Sequence, residues 1–538
     1  MFVYNTFMSG RKEHIAFAVV IILALVSLGG PYLYAWANSD VDTVFGGFLI
    51  NPIDGNSYLA KMYQGWRGDT KFTLPYTAEP GDGTYLFLFY LGLGHLARWT
   101  SIDRLLLFHM ARLFAVVFMY FALYRYLKQT ALSAQERLLA FIAVTLGAGL
   151  GWLALIFGLS TADFWVAEAF PWLSSYANPH FPLSLGLILL LLLPSGRDNQ
   201  LRNYPVLQGF LIALAALTLS IISPFGIILV ILVLVGKEIL RIIGEFPDSD
   251  FYGFDRRIIW VLLGGVPFIL YDLWVTLRHS ALSIWNSQNI TPSPPIWDFI
   301  LSFSPLILLA IIGIYHMLRV SDDGIGKRGI MTIVVWFALG TGLLFLPIGL
   351  QRRFLIGLYI PVAVLGVVGL SSLVKQGSLS TTRRYRLLGL ILILLIIPTN
   401  LLILLSGRYA VQTQDRHVYL WQDERNAFLW LETNTAVNAL VLAAPETGLL
   451  IPAYTGRRVL YGHPFETVNA SEEESRLDAV FSGKVSSPEL ESFVEIHGVD
   501  YIFYGPRERD LGTIPNLPDS ELVYHQGQVM IFTTGNSN

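Results

Sequence analysis

The chain has 538 residues, of which 54% are hydrophobic and only 14% charged, with a mean hydropathy of +0.55. Soluble domains average about 25% charged residues, so an ordinary water-soluble enzyme is excluded. The formal charge of −3 argues against nucleic-acid binding, which needs a concentrated basic surface, and the absence of cysteine removes disulfides, thiolate metal sites and cysteine nucleophiles.

Apolar runs of about 18 residues or more recur, each long enough to cross about 30 Å of hydrocarbon as a helix. The first, His14 to Ala37, is too long for a signal-peptide core and has no clear small-residue cleavage site, so a retained span is expected. Residues 38–112 form an outward loop, and further spans are expected at about 113–127 (or from Arg104), 138–158, 180–194, 206–223, 224–243, 258–277, 304–319, 329–347, 354–374 and 387–406. The short run Thr84 to Arg98, which carries His95, is assigned to the interface. The result is a polytopic α-helical membrane protein with about 11 transmembrane helices.

Charge supports that parity. The segments 1–13, 125–137, 195–205, 237–257, 319–328 and 375–386 hold 18 Lys and Arg in 80 residues, whereas 38–112, 159–179, 278–303 and 348–353 hold 9 in 128. Basic loops stay inside, which puts the amino terminus inside and the carboxyl-terminal segment outside. The expected location is the cytoplasmic membrane, with a bacterial envelope favoured.

Beyond Ser406 the long apolar runs stop. The chain therefore divides into a membrane domain, 1–409, and a small extracytoplasmic α/β domain, 410–538. Helices are expected at 423–433 and Glu489 to His497, and strands at Ala439 to Ala444, Arg458 to Tyr461, Tyr501 to Tyr504 and Glu521 to Thr533, the last a hairpin around Gln526-Gly527.

A connection of about 75 residues exceeds what linking two spans requires. Within it, Tyr58, Leu59, Met62 and Trp66 follow Asp54 at helical spacing, which predicts a helix on the membrane surface with a carboxylate at its start. Asp54 is then either a helix cap or a catalytic base. The outward turn Gln351-Arg352-Arg353 breaks the positive-inside pattern, so an anion is expected to offset Arg352 and Arg353; guanidinium suits phosphate, while snorkelling to the interface is the alternative. Arg112 has the same two readings. Asp272, inside a span beside Tyr271, is a candidate contact for a substrate hydroxyl, as is Tyr58. His180, in the run Asn178-Pro179-His180 at the end of the second outward loop, is either a substrate contact or a hydrogen-bonded cap. The run from Glu446 through Arg457, Arg458 and His463 to Glu466 suits either sugar contacts or packed turns. Gly147, Gly149 and Gly151 fall inside an expected span, where small residues permit close helix packing.

A long first outward loop with an acid about 15 residues past the first span, followed by a tyrosine-containing surface helix, resembles the GT-C superfamily of membrane glycosyltransferases. The matching stretches are Asp54-Gly55 to Tyr58, Leu74-Pro75 to Glu79-Pro80, Tyr85 to Arg98, and Arg112-Leu113. In the branches similar to protein mannosyltransferases and lipid-A-modifying transferases, an Asp-Glu pair stands where this chain has Asp54-Gly55. The resemblance implies an inverting glycosyltransferase that moves a sugar from a polyprenyl-phosphate carrier to an extracytoplasmic glycan, lipid or protein acceptor, with Asp54 as base and Arg352, Arg353 and Arg112 at the lipid phosphate. It also implies a divalent metal ion held with the help of Asp163 and Glu168, in the loop where oligosaccharyltransferase-type relatives place acidic ligands. Two rivals remain: a transporter or flippase of a lipid-linked glycan, and a non-catalytic protein of envelope assembly.

Overall fold

The computed structural model describes residues 10–130, 132–193, 204–243, 254–319, 327–375, 381–513 and 520–535. Of the basic residues that set the expected orientation, Arg197 and Arg202 lie outside the described residues. The chain forms two compact, discontinuous units: 1–31, 111–270 and 291–408 make one, and 32–110, 271–290 and 409–538 make the other. Residues 32–110 therefore group with the carboxyl-terminal segment, a partition that a single cut after 409 does not produce.

Six helices are long and apolar enough to cross a membrane: Arg11–Ala37, Arg104–Lys128, Ala134–Leu155, Pro205–Ile222, Arg257–Arg278 and Thr382–Gln412. The pair Ile296–Phe303 and Leu306–Leu318, bent by 81°, makes a seventh if it is one span. His180–Leu191, Gly329–Leu343 and Tyr359–Val374 are apolar but shorter; at about 1.5 Å per residue none reaches about 30 Å by itself. Length and composition thus support six or seven spans among the described residues, where the sequence predicts about eleven.

In the first unit, a capping box opens the helix Ala134–Leu146: the Glu136 amide donates to Ser133 Oγ, and the Ser133 amide donates to the Glu136 carboxylate at 2.7 Å. The glycines after it do not continue the helix as expected. Residues 147–150 leave helical geometry before Gly151–Leu155 resumes it. A Cβ on Gly149 would stand 2.0 Å from the Ser302 carbonyl oxygen and one on Gly151 2.1 Å from Asp163 Oδ1, so these positions admit no side chain.

The second unit contains two sheets. Strands β1 (Thr43–Phe45) and β2 (Tyr419–Trp421) pair antiparallel. Strands β3 (Leu440–Leu442), β4 (Arg458–Val459), β5 (Tyr501–Tyr504), β6 (Glu521–Gln526) and β7 (Val529–Thr533) form a five-stranded sheet in the order β4-β3-β5-β7-β6, parallel across β4-β3-β5 and antiparallel beyond. Its central strands β3 and β5 are buried on both faces: Leu440, Leu442 and Ile502 pack against Leu477, Phe481 and Leu490, while Val441 and Phe503 pack against Phe428, Leu431 and Ile451. That alternation is the two-residue period of a strand.

In the same unit, the helix Pro52–Arg67 lies against the helix Leu88–Thr100. A Cβ on Gly65 would fall 2.0 Å from the Leu91 carbonyl oxygen, and one on Gly94 2.1 Å from that of Met62, so the two glycines let the backbones touch. At 13 residues the second helix rises about 20 Å, too little for a span, in keeping with the interfacial assignment of this run.

Candidate functional site

Asn51, at φ 49°, turns the chain sharply, and Pro52 starts the helix that carries Asp54 in its first turn. Asp54 is thus not the N-cap, which is the alternative weighed from sequence. A carboxylate in the first turn still gains from the helix dipole, but its oxygens are engaged by side chains: Asn51 Nδ2 donates to Oδ2 at 2.5 Å, and His463 Nε2 lies 3.2 Å from Oδ1. The Asp54 side chain is 36% exposed and that of His463 2%.

The histidine is held in one tautomer. The backbone N–H groups of Phe465 and Glu466 both donate to its Nδ1, at 3.1 and 3.2 Å, so the proton of the neutral ring resides on Nε2 and points at Asp54. Its loop is pinned from two sides. Thr467 Oγ1 accepts from the amides of Gly462 and His463, and Glu466 accepts from Lys61 Nζ at 2.7 and 2.8 Å and from Ser57 Oγ at 2.6 Å. Ser57 and Lys61 are one helical turn apart and share a face. Lys61 is fully buried under the rings of Phe87, Tyr58 and Phe72. Burial opposes ionisation of Glu466, but the Lys61 ammonium outweighs it, helped by the Ser57 hydroxyl, and holds the carboxyl below its ordinary value.

Gly55 occupies the place of the second acid in the resembling branches for a steric reason: a Cβ there would meet the Phe48 ring at 2.5 Å. No paired-acid role is open at that position.

The other predicted residues disperse. Tyr58 is stacked on Tyr90, with centroids 4.3 Å apart and planes at 6°. Asp272 is half-buried next to Tyr271, whose hydroxyl accepts from the Tyr85 amide. His180 is half-buried at the first position of its helix, against Phe181. Arg112 is a correction. It is 1% exposed and its guanidinium donates to the carbonyls of Leu28, Ser175 and Tyr176, so it clamps backbone in the first unit rather than presenting itself to a lipid head group.

In that unit, Arg352 Nε lies 3.7 Å and Arg353 Nη1 4.0 Å from Glu168 Oε1, and the Arg352 guanidinium covers Trp165 at 5.0 Å. The offsetting anion expected from sequence is in part Glu168. Asp163 is fully buried, with Oδ1 accepting from Thr161 Oγ1 (2.6 Å) and Oδ2 from the amides of Gly149 (3.2 Å) and Gly151 (3.1 Å) and from Thr399 Oγ1 (3.0 Å). Burial pushes its pKa up against these donors. The expected pair does not suit a metal ion, because the oxygens of Asp163 already face donors and Glu168 faces arginines. Among the described residues, no three His, Asp or Glu side chains gather as a metal site requires.

Sequence reasoning named His463 and Glu466 only as members of a polar run. The signal for Lys61 was present: a lysine one turn after Ser57 on the buried face of an amphipathic helix needs a buried anion, although nothing local says which.

Residues 161–532 match the model of the family described as "Family of unknown function (DUF6541)". No curated protein matches the chain by sequence. Among solved structures, the Archaeoglobus fulgidus oligosaccharyltransferase tethered with an acceptor peptide containing the NVT sequon is similar over 92% of this chain and 69% of its own, with TM-score 0.56 at 14% identity. The oligosaccharyltransferase AglB of the same organism, in complex with an inhibitory peptide and a dolichol-phosphate, covers 92% of this chain and 70% of its own with TM-score 0.52 at 15% identity. ArnT from Cupriavidus metallidurans bound to undecaprenyl phosphate covers 98% of this chain and 100% of its own, with TM-score 0.51 at 11% identity. At these identities the likeness is one of fold alone.

Proposed function

We propose that this chain, which belongs to the DUF6541 family, is an inverting membrane glycosyltransferase that moves a sugar from a polyprenyl-phosphate carrier to an acceptor outside the cytoplasmic membrane. The observation that carries the proposal is the Asp54–His463 pair: a partly exposed carboxylate oriented by a buried imidazole of fixed tautomer, on the first-loop helix of a GT-C fold. Solved structures similar in fold are complexes with a dolichol-phosphate and with undecaprenyl phosphate, which supports a lipid-linked donor.

In this reading Asp54 accepts the proton of the acceptor hydroxyl while its oxygen attacks the anomeric carbon from the face opposite the phosphate. The bond from that carbon to the phosphate oxygen breaks, its electron pair leaves with the polyprenyl phosphate, and the configuration inverts. Arg352 and Arg353 keep a lipid-phosphate assignment, in which their guanidinium groups would stabilise a departing phosphate. His463 positions Asp54, and the Ser57–Lys61–Glu466 cluster holds the loop that carries His463. Tyr58, His180 and Asp272 keep a substrate-contact assignment. No step is assigned to a metal ion. About eleven spans, an inside amino terminus and an extracytoplasmic α/β domain complete the proposed topology.

The test uses purified protein in lipid with a panel of radiolabelled polyprenyl-phosphate sugars. Sugar release or transfer that disappears in Asp54→Asn while carrier binding persists supports the transferase. Carrier binding without turnover, unaffected by the substitution, would favour transport instead.

A further inference from the structure

A cavity of about 270 Å3 lies in the second unit. Neither Asp54 nor His463 is on its wall, so it is separate from the proposed catalytic pair. The volume sits just below the range of about 300–1,000 Å3 usual for ligand sites, which suits a molecule no larger than one small ring. Ile53, Leu420, Leu449 and Leu450 give the wall an apolar part, and Arg416, Glu446, Glu474 and Arg507 give it a charged one. Glu446 stands in the first turn of the helix Pro445–Thr455 and Glu474 on the helix Ala470–Phe481, so separate elements supply the two acids.

The charges do not balance. Arg416 meets Glu446 and Asp510, each at 2.8 Å, and Arg507 meets Glu424 at 2.9 Å and Glu446 at 3.2 Å, so two guanidinium groups serve three carboxylates. Glu474 is a fourth. It sits in no ion pair among the described residues: its partner is the neutral hydroxyl of Tyr461, and Arg476 on the same helix pairs with Glu472 and Glu473 instead. His417, also on the wall, brings no surplus charge when protonated, because Asp415 faces it at 2.9 Å. Four carboxylates against two guanidinium groups leave an excess of two negative charges. The acids can be reached from solvent, since Glu474 is exposed and the Glu446 side chain is 36% exposed.

We propose that this cavity binds a small organic cation carrying a primary ammonium group, with Glu474 and Glu446 accepting its N–H donors and its carbon skeleton lying against Ile53, Leu420 and Leu449. A phosphate or carboxylate would meet a surplus of its own sign. A bare divalent ion needs six or more oxygen ligands or ordered water, which a wall with this much apolar surface does not favour. A quaternary ammonium group prefers a cage of aromatic faces, and the wall supplies one phenol ring and one imidazole. The assignment does not depend on the transferase reading.

The test is saturation-transfer NMR on the purified full chain. Ethanolamine, putrescine and methyl glucosaminide are the probes, each beside an uncharged analogue: ethylene glycol, 1,4-butanediol and methyl glucoside. At least one amine is expected to bind about tenfold or more tightly than its analogue, and the amine that binds tells an aliphatic source from a sugar. The binding should weaken as salt is raised. Glu474→Gln should weaken it by about tenfold. Leu449 is half-buried, and Leu449→Trp, which puts an indole into the space, should weaken it at least as much. Asp54→Asn should leave it unchanged, which keeps this site distinct from the catalytic pair. Thermal unfolding is followed on each variant, and if Leu449→Trp does not fold, the exposed Glu474→Gln decides alone. The assignment is overturned if no amine binds, if the uncharged analogues bind as well, or if either substitution in a folded chain leaves binding unchanged.

Discussion

Asp54 and Asp163 each stand in the first turn of a helix, and each was a candidate for chemistry, yet their surroundings differ in kind. Asp163 is closed off from solvent and receives uncharged donors: two backbone amides from the glycine break at 149–151 and the hydroxyls of Thr161 and Thr399. Its lone pairs hold three stretches of chain together: 149–151, 161–163 and the turn at Thr399. Asp54 has a partly exposed side chain that the His463 imidazole and the Asn51 amide help to orient. A carboxylate saturated by fixed neutral donors is a structural tie, while one that is oriented but still accessible can take a proton.

The largest expected effect separates the two directly. Asp54→Asn should reduce sugar transfer by about 10²–10⁴-fold with little change in the thermal midpoint; a variant with near-normal turnover would break the comparison. Next comes the clamp behind His463. Lys61→Ala leaves the Glu466 carboxylate buried without its partner and should cost about 3–5 kcal/mol, whereas Lys61→Met combined with Glu466→Leu should recover most of that stability while still losing turnover through the released histidine loop. Denaturant titration and donor turnover on the same samples check both halves. Asp163→Asn sets an amide N–H against existing donors and should cost about 3 kcal/mol, with turnover per folded molecule retained.

Two smaller effects sharpen the picture. Gly55→Ala drives a methyl into the Phe48 ring and should cost about 1–3 kcal/mol, relieved by Phe48→Leu. Glu508 resembles Asp163: it is fully buried, accepts from the amides of Ala444 and Gly505, and burial raises its pKa from 4.5 to about 6. A raised acid stabilises the fold while protonated, so this contribution is complete below about pH 4.5 and is lost as pH rises through about 6. The difference is about 2 kcal/mol. Glu508→Gln should flatten that slope in a pH series of unfolding midpoints.

Local pattern was enough for the pieces that depend on local pattern. The spacing Tyr58, Leu59, Met62 and Trp66 after Asp54 predicts a helix, and Pro52–Arg67 is one. The apolar runs anticipate the long helices, while the expected count of about eleven goes beyond the six or seven spans that length and composition support among the described residues. The partners of Asp54 and Lys61 were beyond reach, since His463 and Glu466 are 409 and 405 residues away and only the folded chain brings them in. The role of Gly55 was equally hidden, because it is decided by where the Phe48 ring falls. Arg112 misled for a related reason: an arginine opening an apolar run looks interfacial until the carbonyls of Leu28 and Ser175 are found around it.

The most direct measurement places Asp54→Asn and Asp163→Asn side by side in lipid and reads both donor turnover and thermal midpoint on each. The account predicts that the first loses turnover and keeps its midpoint, while the second loses several degrees and keeps its turnover per folded molecule. Turnover lost in Asp163→Asn at an unchanged midpoint, with Asp54→Asn active, would contradict it.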